Sequence, residues 1–158
     1  MSQRNSEPAK AVESIVSLTS SVSWQSAIGR ELMSPGQPRV HRACLDFQQL
    51  NVLAKQSRPT VAIIEVYEKN VAQCIRFAAG HLQVDGLIVI GVGDWASASV
   101  RHELSRLGMT AFYRSFLDFE RLAKCVERFF ENVSVGDATI EQRVETSLPW
   151  AACSTVAK

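Results

Sequence analysis

Glu65 is the residue in this chain that is best placed to do chemistry. It follows the apolar run TVAII at residues 60–64, and a short apolar run rich in β-branched residues predicts a buried strand. In parallel α/β proteins, ligands and reactive groups collect where the strands end. Glu65 is therefore a working acid, the replacement for one, or only the polar end of a strand.

Few other polar groups are predicted at this edge of the sheet. They are hydroxyl residues and a glycine turn that follow predicted strands: Thr19, Ser20, Ser21, residues 91–93 and Ser115. The histidines fall within predicted strands or helices: His41, His81 and His102. A nucleophile–histidine–acid arrangement needs a histidine at the edge, and a divalent metal site needs more than one carboxylate. We therefore expect no enzymatic activity, no metal and no cofactor.

The composition predicts a single cytoplasmic domain. The chain has 158 residues, 46% of them hydrophobic, and a net charge of +1, which provides no field to attract nucleic acid or an acidic membrane. Its longest apolar runs are far shorter than the ~20 residues that span a bilayer. The polar start MSQRNSEPAK lacks the apolar core of a secretion signal. The four cysteines form no CxxC pair, so we expect neither a zinc site nor a disulfide framework.

Five strand patterns alternate with five helix patterns along the chain. The predicted strands are 14–20, 39–45, 60–66, 86–92 and 109–114, and the predicted helices are 24–32, 46–54, 69–82, 94–107 and 117–132. Short loops and right-handed crossovers then give an α/β fold with one doubly wound, five-stranded parallel sheet, a (βα)5 three-layer sandwich. We predict an N-terminal arm at 1–11, this domain at 12–133 and a C-terminal tail at 134–158, in which one stretch has the pattern of a short amphipathic helix.

Local signals define some helix boundaries and faces. Asp46 with Gln49 has the spacing of a capping box and predicts the start of the second helix. Asp94 is predicted to cap the fourth helix, and Gly108 to end it. Phe77 falls outside the apolar stripe of the third helix, which predicts a boundary position.

Two spacings relate the third and fifth strands to a known family. Pro59 precedes Glu65 by six positions, and Gly108 precedes Phe112 by four, with Ser115 and Phe116 next. This order and spacing resembles the receiver domain of two-component response regulators over residues 12–133. The resemblance implies that Glu65 occupies the position of the phospho-accepting Asp and Phe112 that of the aromatic switch residue. Ser115 and Phe116 then stand where the family usually has Lys and Pro.

The other chemical residues of the family are missing. Its acidic pair, which helps to hold Mg²⁺, falls by counting on Thr19, Ser20 and Ser21, and its phosphoryl-binding Thr or Ser falls within residues 91–93. Phosphorylation needs the nucleophile, the metal and a neutralising cation together. The resemblance therefore implies a degenerate pseudo-receiver that neither accepts nor hydrolyses phosphate. Glu65 either mimics a phosphorylated state or is a strand-end side chain, exposed or hydrogen-bonded to Thr19, Ser20 or Ser115.

The predicted function is a non-catalytic signalling or protein-interaction module. In receivers the face formed by the fourth helix, the fifth strand and the fifth helix contacts partners, and its candidates here are Arg101, His102, Arg106 and Tyr113. The implied partner is a signalling protein or a second copy of the chain, without nucleic acid or membrane. An alternative is a small nucleotide-binding protein or enzyme that uses the Gly91–Gly93 turn. A third is a former regulatory domain that now acts through its tail.

Overall fold

The computed structural model describes residues 12–33, 38–81 and 84–134. Strands and helices alternate along them: β1 Glu13–Leu18, α1 Val22–Glu31, β2 Arg39–Ala43, α2 Phe47–Gln56, β3 Thr60–Glu65, α3 Val71–Gly80, β4 Leu87–Val92, α4 Ala98–Arg106, β5 Ala111–Tyr113 and α5 Phe119–Ser134. A 3-10 turn, Phe116–Asp118, leads into α5. The N-terminal arm, the tail beyond residue 134 and its predicted amphipathic stretch lie outside the described residues.

The strands form one parallel sheet in the order β2-β1-β3-β4-β5. Helices α1 and α5 pack on one face, and α2, α3 and α4 pack on the other. The protein therefore has the predicted doubly wound α/β architecture, a three-layer flavodoxin-like fold. All five strands end at the same edge of the sheet, which we call the carboxyl edge; the opposite edge is the amino edge.

The apolar character of the central strands follows from this layering. In β3, Val61 and Ile63 face α1 and α5, whereas Ala62 and Ile64 face the other helices. Successive side chains of a strand point to opposite faces, and here both faces are covered. A strand buried on both sides has an almost continuous apolar sequence, so β3 and β4 are apolar without alternation.

The start of α2 confirms the predicted Asp46 cap, while the return bond of the Gln49 side chain is with Leu45 and not with Asp46. The Gln49 backbone N–H donates to Asp46 Oδ1 at 2.8 Å. In return, the Gln49 side-chain oxygen accepts from the Leu45 backbone N–H at 2.8 Å, one residue before the cap. These bonds satisfy two donors at the helix start, where backbone partners are lacking.

The predicted start of α4 at Asp94 is wrong. Helix α4 begins at Ala98, and the Ser97 hydroxyl caps it by accepting from the Val100 N–H at 3.4 Å. Asp94 instead lies in the loop that leaves β4, where Ala96 is almost fully buried. The loop therefore turns inward at Ala96 before the helix begins, and Ser97, the next residue, is the N-cap of α4.

The prediction for Phe77 is also wrong, because Phe77 is buried. Its ring lies 4.2 Å from the ring of His81, and 6.4 Å from that of Phe47 on α2. Helix α3 contacts both the sheet and α2, so its buried arc is wider than the stripe that faces the sheet. The spacing of apolar residues along α3 alone cannot predict this contact with the neighbouring helix α2.

A buried arginine holds the amino edge of the sheet together. Arg39, the first residue of β2, has a side chain that is 1% exposed. It forms ion pairs with Glu13 of β1 at 2.6 Å and with Glu127 of α5 at 2.6 Å, and it donates to the Leu32 carbonyl at the end of α1. Its guanidinium also lies 4.7 Å from the centre of the Phe130 ring. Burial opposes the charged form, but the bonds to Glu127 and Glu13 outweigh it and raise the pKa of Arg39.

The cysteines inside the fold have core positions. Cys44, Cys74 and Cys125 are buried, as expected for small side chains in apolar segments. Burial raises the pKa of each thiol, that of Cys74 to about 12, so these thiols are poor nucleophiles.

Across the described ranges, no helix is both long enough and apolar enough to cross a membrane.

Candidate functional site

Glu65 ends β3 at the carboxyl edge, and both of its carboxylate oxygens are engaged. Oε1 accepts from the Ser20 hydroxyl at 3.0 Å, and Oε2 accepts from the Ser21 backbone N–H at 3.1 Å. Both donors belong to the β1–α1 loop. Of the two strand-end arrangements left open by the sequence, exposed or hydrogen-bonded, the structure shows the hydrogen-bonded one, with Ser20 as the side-chain partner. We call this contact the Glu65 clasp.

The β1–α1 loop is built to receive a carboxylate. Ser21 caps α1 by accepting from the Trp24 N–H at 3.4 Å, and the Thr19 hydroxyl donates to the Ser21 carbonyl at 3.3 Å. Glu65 therefore lies beside the N-terminus of α1, where the helix carries a partial positive charge. The clasp joins Glu65 to Ser21 and Ser20, which are 44 and 45 residues away in sequence.

Asn70, which sequence reasoning missed, orders the loop on the other side of Glu65. Its side-chain N–H donates to the Glu65 carbonyl at 2.7 Å, and its side-chain oxygen accepts from the Tyr67 N–H at 2.8 Å. Asn70 is buried and directly precedes α3. Asn70 is the N-cap residue of α3, but its side chain makes no cap bond and instead holds the loop.

The two glycines of the predicted nucleotide-binding turn have packing roles. A Cβ on Gly91 would lie 2.5 Å from the Phe112 ring and 2.8 Å from the Met109 sulfur. Gly93 has φ +123°, and a Cβ there would lie 3.2 Å from the Val66 carbonyl oxygen. The Gly93 N–H donates to the Tyr113 carbonyl at 3.1 Å. These contacts explain both glycines without a bound phosphate.

Phe112 and Ser115, the other positions named from the receiver resemblance, are not hydrogen-bonded to Glu65 among the described residues. Phe112 is half-buried, with its ring over Gly91 on the α4 side of the sheet. Ser115 begins the turn into α5, where its carbonyl accepts from the Asp118 N–H at 3.0 Å. Within the part of the chain that the structure describes, no hydrogen bond joins Ser115 to Glu65. Of the predicted site residues, the structure therefore brings Ser20 and Ser21 to Glu65, with Thr19 bracing their loop.

A groove runs along the face formed by α4, β5 and α5, with a volume of about 440 Å³. Its charged and imidazole side chains are predominantly basic: Arg101, His102, Arg114, Arg121 and Asp118. We call it the basic groove. Its lining contains Arg101, His102 and Tyr113 from the predicted partner face. Arg106, on the same helix, lies outside its lining and pairs with Glu103 at 3.1 Å.

Tyr113 requires a correction, because it lines the groove but is only 5% exposed, which leaves too little surface for the predicted anchor role. Its side chain packs in the core with Leu122 and Val126 of α5, beside Cys125. Burial raises the pKa of Tyr113, and the neighbouring Cys125 thiol adds to the shift. β5 is an edge strand, but α5 covers the face to which Tyr113 points.

A serine–histidine pair lies away from the carboxyl edge. The Ser17 hydroxyl and His41 Nε2 are 2.7 Å apart, between β1 and β2. Ser17 is fully buried, and burial lowers the pKa of His41. A hydroxyl without access to substrate cannot act as a nucleophile, so the pair links two strands. Among the described residues, no three His, Cys, Asp or Glu side chains are grouped so that they could hold a metal ion.

Fold and site together define a flavodoxin-like α/β domain in which the carboxylate at the end of β3 is hydrogen-bonded to the β1–α1 loop. One solved structure with this fold is described as a CpaE2 pilus assembly protein from Sinorhizobium meliloti 1021. The two are 15% identical with a TM-score of 0.56, over 72% of this chain and 97% of the other. At that identity the similarity shows a shared fold. No protein-family model matches the chain, and no curated protein matches it either.

Proposed function

We propose that this domain is a pseudo-receiver that works by binding a protein, without phosphorylation chemistry. The observation that carries the proposal is the make-up of the Glu65 clasp. A phospho-accepting carboxylate works together with a metal ion and a cation that neutralises the transferred phosphoryl group. Both oxygens of Glu65 instead accept from the Ser20 hydroxyl and the Ser21 backbone N–H. By the resemblance to receivers, Thr19, Ser20 and Ser21 stand at the positions of the metal-binding acids, and Ser115 stands at that of the lysine.

In this proposal the clasp does structurally what phosphorylation does chemically in a working receiver. It fixes the loops at the end of β1 and β3 in one arrangement through bonds to a permanent negative charge. The domain then presents one surface constantly, and regulation lies with the availability of its partner. The similarity to the CpaE2 structure supports only the fold on which this proposal is built.

The basic groove is the proposed contact surface. Arg101, Arg114 and Arg121 offer forked donors that suit carboxylates, and Asp118 is the one acid in the lining. β5 is also the outermost strand of the sheet, and the unpaired side of an outermost strand can form hydrogen bonds with an added strand. These features favour an acidic segment of a signalling protein. A symmetric homodimer through the groove would place like charges together, which disfavours that arrangement.

Incubation with acetyl phosphate and Mg²⁺ should leave the mass of the protein unchanged, because Glu65 lacks the metal and cation that phosphoryl transfer requires. Intact-protein mass spectrometry measures this, with a working receiver treated in parallel as the positive control. A stoichiometric phosphoryl adduct that disappears in Glu65→Gln would show that the domain is a working receiver and would refute the proposal.

Reversing the charge of the groove should weaken partner capture. We expect Arg101→Glu with Arg121→Glu to cost at least ~1–2 kcal/mol of binding, about tenfold or more in affinity, if these residues are anchors. The measurement is pull-down from the native host followed by titration of the captured protein. Arg106→Glu is the matched control, because Arg106 is on the same helix but pairs with Glu103 outside the groove.

Glu65→Ala should affect capture less than the groove reversals do, since Glu65 and its clasp partners lie outside the lining of the groove. Circular dichroism and thermal unfolding would show that each variant still folds. Loss of capture in Glu65→Ala with no effect of the groove reversals would place the contact at the strand ends and contradict the assignment to the groove.

A further inference from the structure

Every strand of the sheet is followed by one exposed, large apolar side chain. Across the carboxyl edge from β2 to β5 these are Leu45 (90% exposed), Val22 (76%), Tyr67 (38%), Trp95 (41%) and Leu117 (94%). We call this set the apolar rim. The described residues contain nine exposed large apolar side chains, and five of them belong to the rim. The other four are on strand, helix or terminal positions elsewhere: Val12, Val40, Val52 and Leu107.

The rim is not explained by packing within the domain. Single exposed apolar residues are ordinary on protein surfaces, whereas several at one end of a sheet favour an interaction site. Leu45 and Leu117 expose nearly all of their side-chain surface to water. A cavity of about 240 Å³ opens beside Leu45 and Tyr67 and is lined also by Phe47. It offers a recess for one apolar anchor of a partner.

The charges around the rim indicate the sign of the charge that a partner should carry. The loops that carry it contain four acids and two bases: Asp46, Glu68, Asp94, Asp118, Lys69 and Arg114. The helix N-termini at this edge are partly positive, but α1, α2 and α4 are already capped by Ser21, Asp46 and Ser97. The rim is thus apolar with an excess of negative charge, opposite in sign to the basic groove.

The dimensions fit a short helix. Neighbouring strands are about 4.8 Å apart, so five strands span roughly 19 Å. A helix rises 1.5 Å per residue, and about 13 residues therefore cross the whole edge. From the position, charge and length of the rim, we propose that it binds a cationic amphipathic helix of a partner protein, with its apolar stripe on the rim and its Lys or Arg residues towards the loop carboxylates.

A synthetic peptide tests this with the full-length chain. The probe is a fluorescein-labelled 14-residue Leu/Lys peptide with leucines at helical i, i+3, i+4 and i+7 spacing, and a Leu/Glu peptide of the same pattern is its control. We expect the Leu/Lys peptide to bind in fluorescence anisotropy and the Leu/Glu peptide to bind at least tenfold more weakly. Leu45→Ser with Leu117→Ser should weaken binding of the Leu/Lys peptide tenfold or more. Val52→Ser, an exposed apolar site on α2, should change it less than twofold.

Failure of this inference is distinguishable from failure of the proposed function. Arg101→Glu with Arg121→Glu, the groove variant, should bind the Leu/Lys peptide as well as the wild type does. The proposal is overturned if neither peptide binds, if both bind equally, or if the rim variants bind unchanged. It is also overturned if the rim variants abolish self-association in sedimentation analysis, which would make a second copy the occupant. Peptide binding that appears only after Ile140→Ser and Leu148→Ser would make the chain's own tail the occupant and overturn it likewise.

Discussion

Arg39→Met should lower the free energy of unfolding by about 3–5 kcal/mol, the usual cost of breaking a buried ion pair. The side chain of Arg39 is 1% exposed and that of Glu13 is 14% exposed, so removing the guanidinium leaves Glu13 with a largely buried, uncompensated charge. The variant also loses the bonds from Arg39 to Glu127 and to the end of α1. Urea unfolding followed by circular dichroism measures the change in free energy.

Arg30→Met is the matched control for this prediction. Arg30 also pairs with a glutamate, Glu31, but its side chain is 75% exposed, and exposed pairs contribute about 0–1 kcal/mol. Adding Glu13→Gln to Arg39→Met should recover part of the loss, because it removes the uncompensated charge. If Arg39→Met costs no more than Arg30→Met, the ion pairs at the amino edge do not hold the fold together.

Gly91→Ala should destabilise the domain by about 1–3 kcal/mol, the usual cost of overpacking a core position. The added methyl group would lie within 2.5–2.8 Å of the Phe112 ring and the Met109 sulfur, so one of these side chains must move. Phe112 is half-buried and lies on an edge strand, and its ring is therefore expected to turn outward. Thermal unfolding gives the cost in stability, and NMR contacts of the ring give its position.

Gly80→Ala is the control for backbone effects, because a Cβ on Gly80 would meet nothing within 4 Å. It should be neutral or slightly stabilising, since Ala is the better residue in a helix. The cost of Gly91→Ala should shrink in a Phe112→Ala background, where the ring is absent. An equal cost with and without the ring would show that contact with Phe112 is not the cause.

The architecture was predictable because the local patterns are strong and consistent. Runs such as TVAII and LIVIGV are too short for buried helices and too apolar for exposed strands, and the alternation with helix patterns then permits few topologies. The Asp46 cap was readable because its bonds lie within four residues of sequence. Glu65 could be placed at a strand end for the same reason.

The contacts between distant segments were not predictable. Tyr113 was a partner-face candidate from the resemblance to receivers, but α5 covers the face of β5 to which its side chain points. Arg39 looked like an ordinary strand residue, since its partners Glu13 and Glu127 are 26 and 88 residues away. The side-chain partner of Glu65 could be limited to Thr19, Ser20 or Ser115, but the second partner, the Ser21 backbone N–H, was outside that set. Loop geometry decides which donor reaches the carboxylate.

The position of the Arg39 ion pairs has a consequence for how this domain can change over evolutionary time. Arg39, Glu13 and Glu127 join one strand to another and to α5 at the amino edge. The rim residues lie in the loops and turns at the carboxyl edge and at the start of α1, where they contribute little to the core. Surface loops tolerate substitution far better than buried networks do. Mutational drift can therefore remodel recognition at one end of the sheet, while the foundation of the fold at the other end stays unchanged.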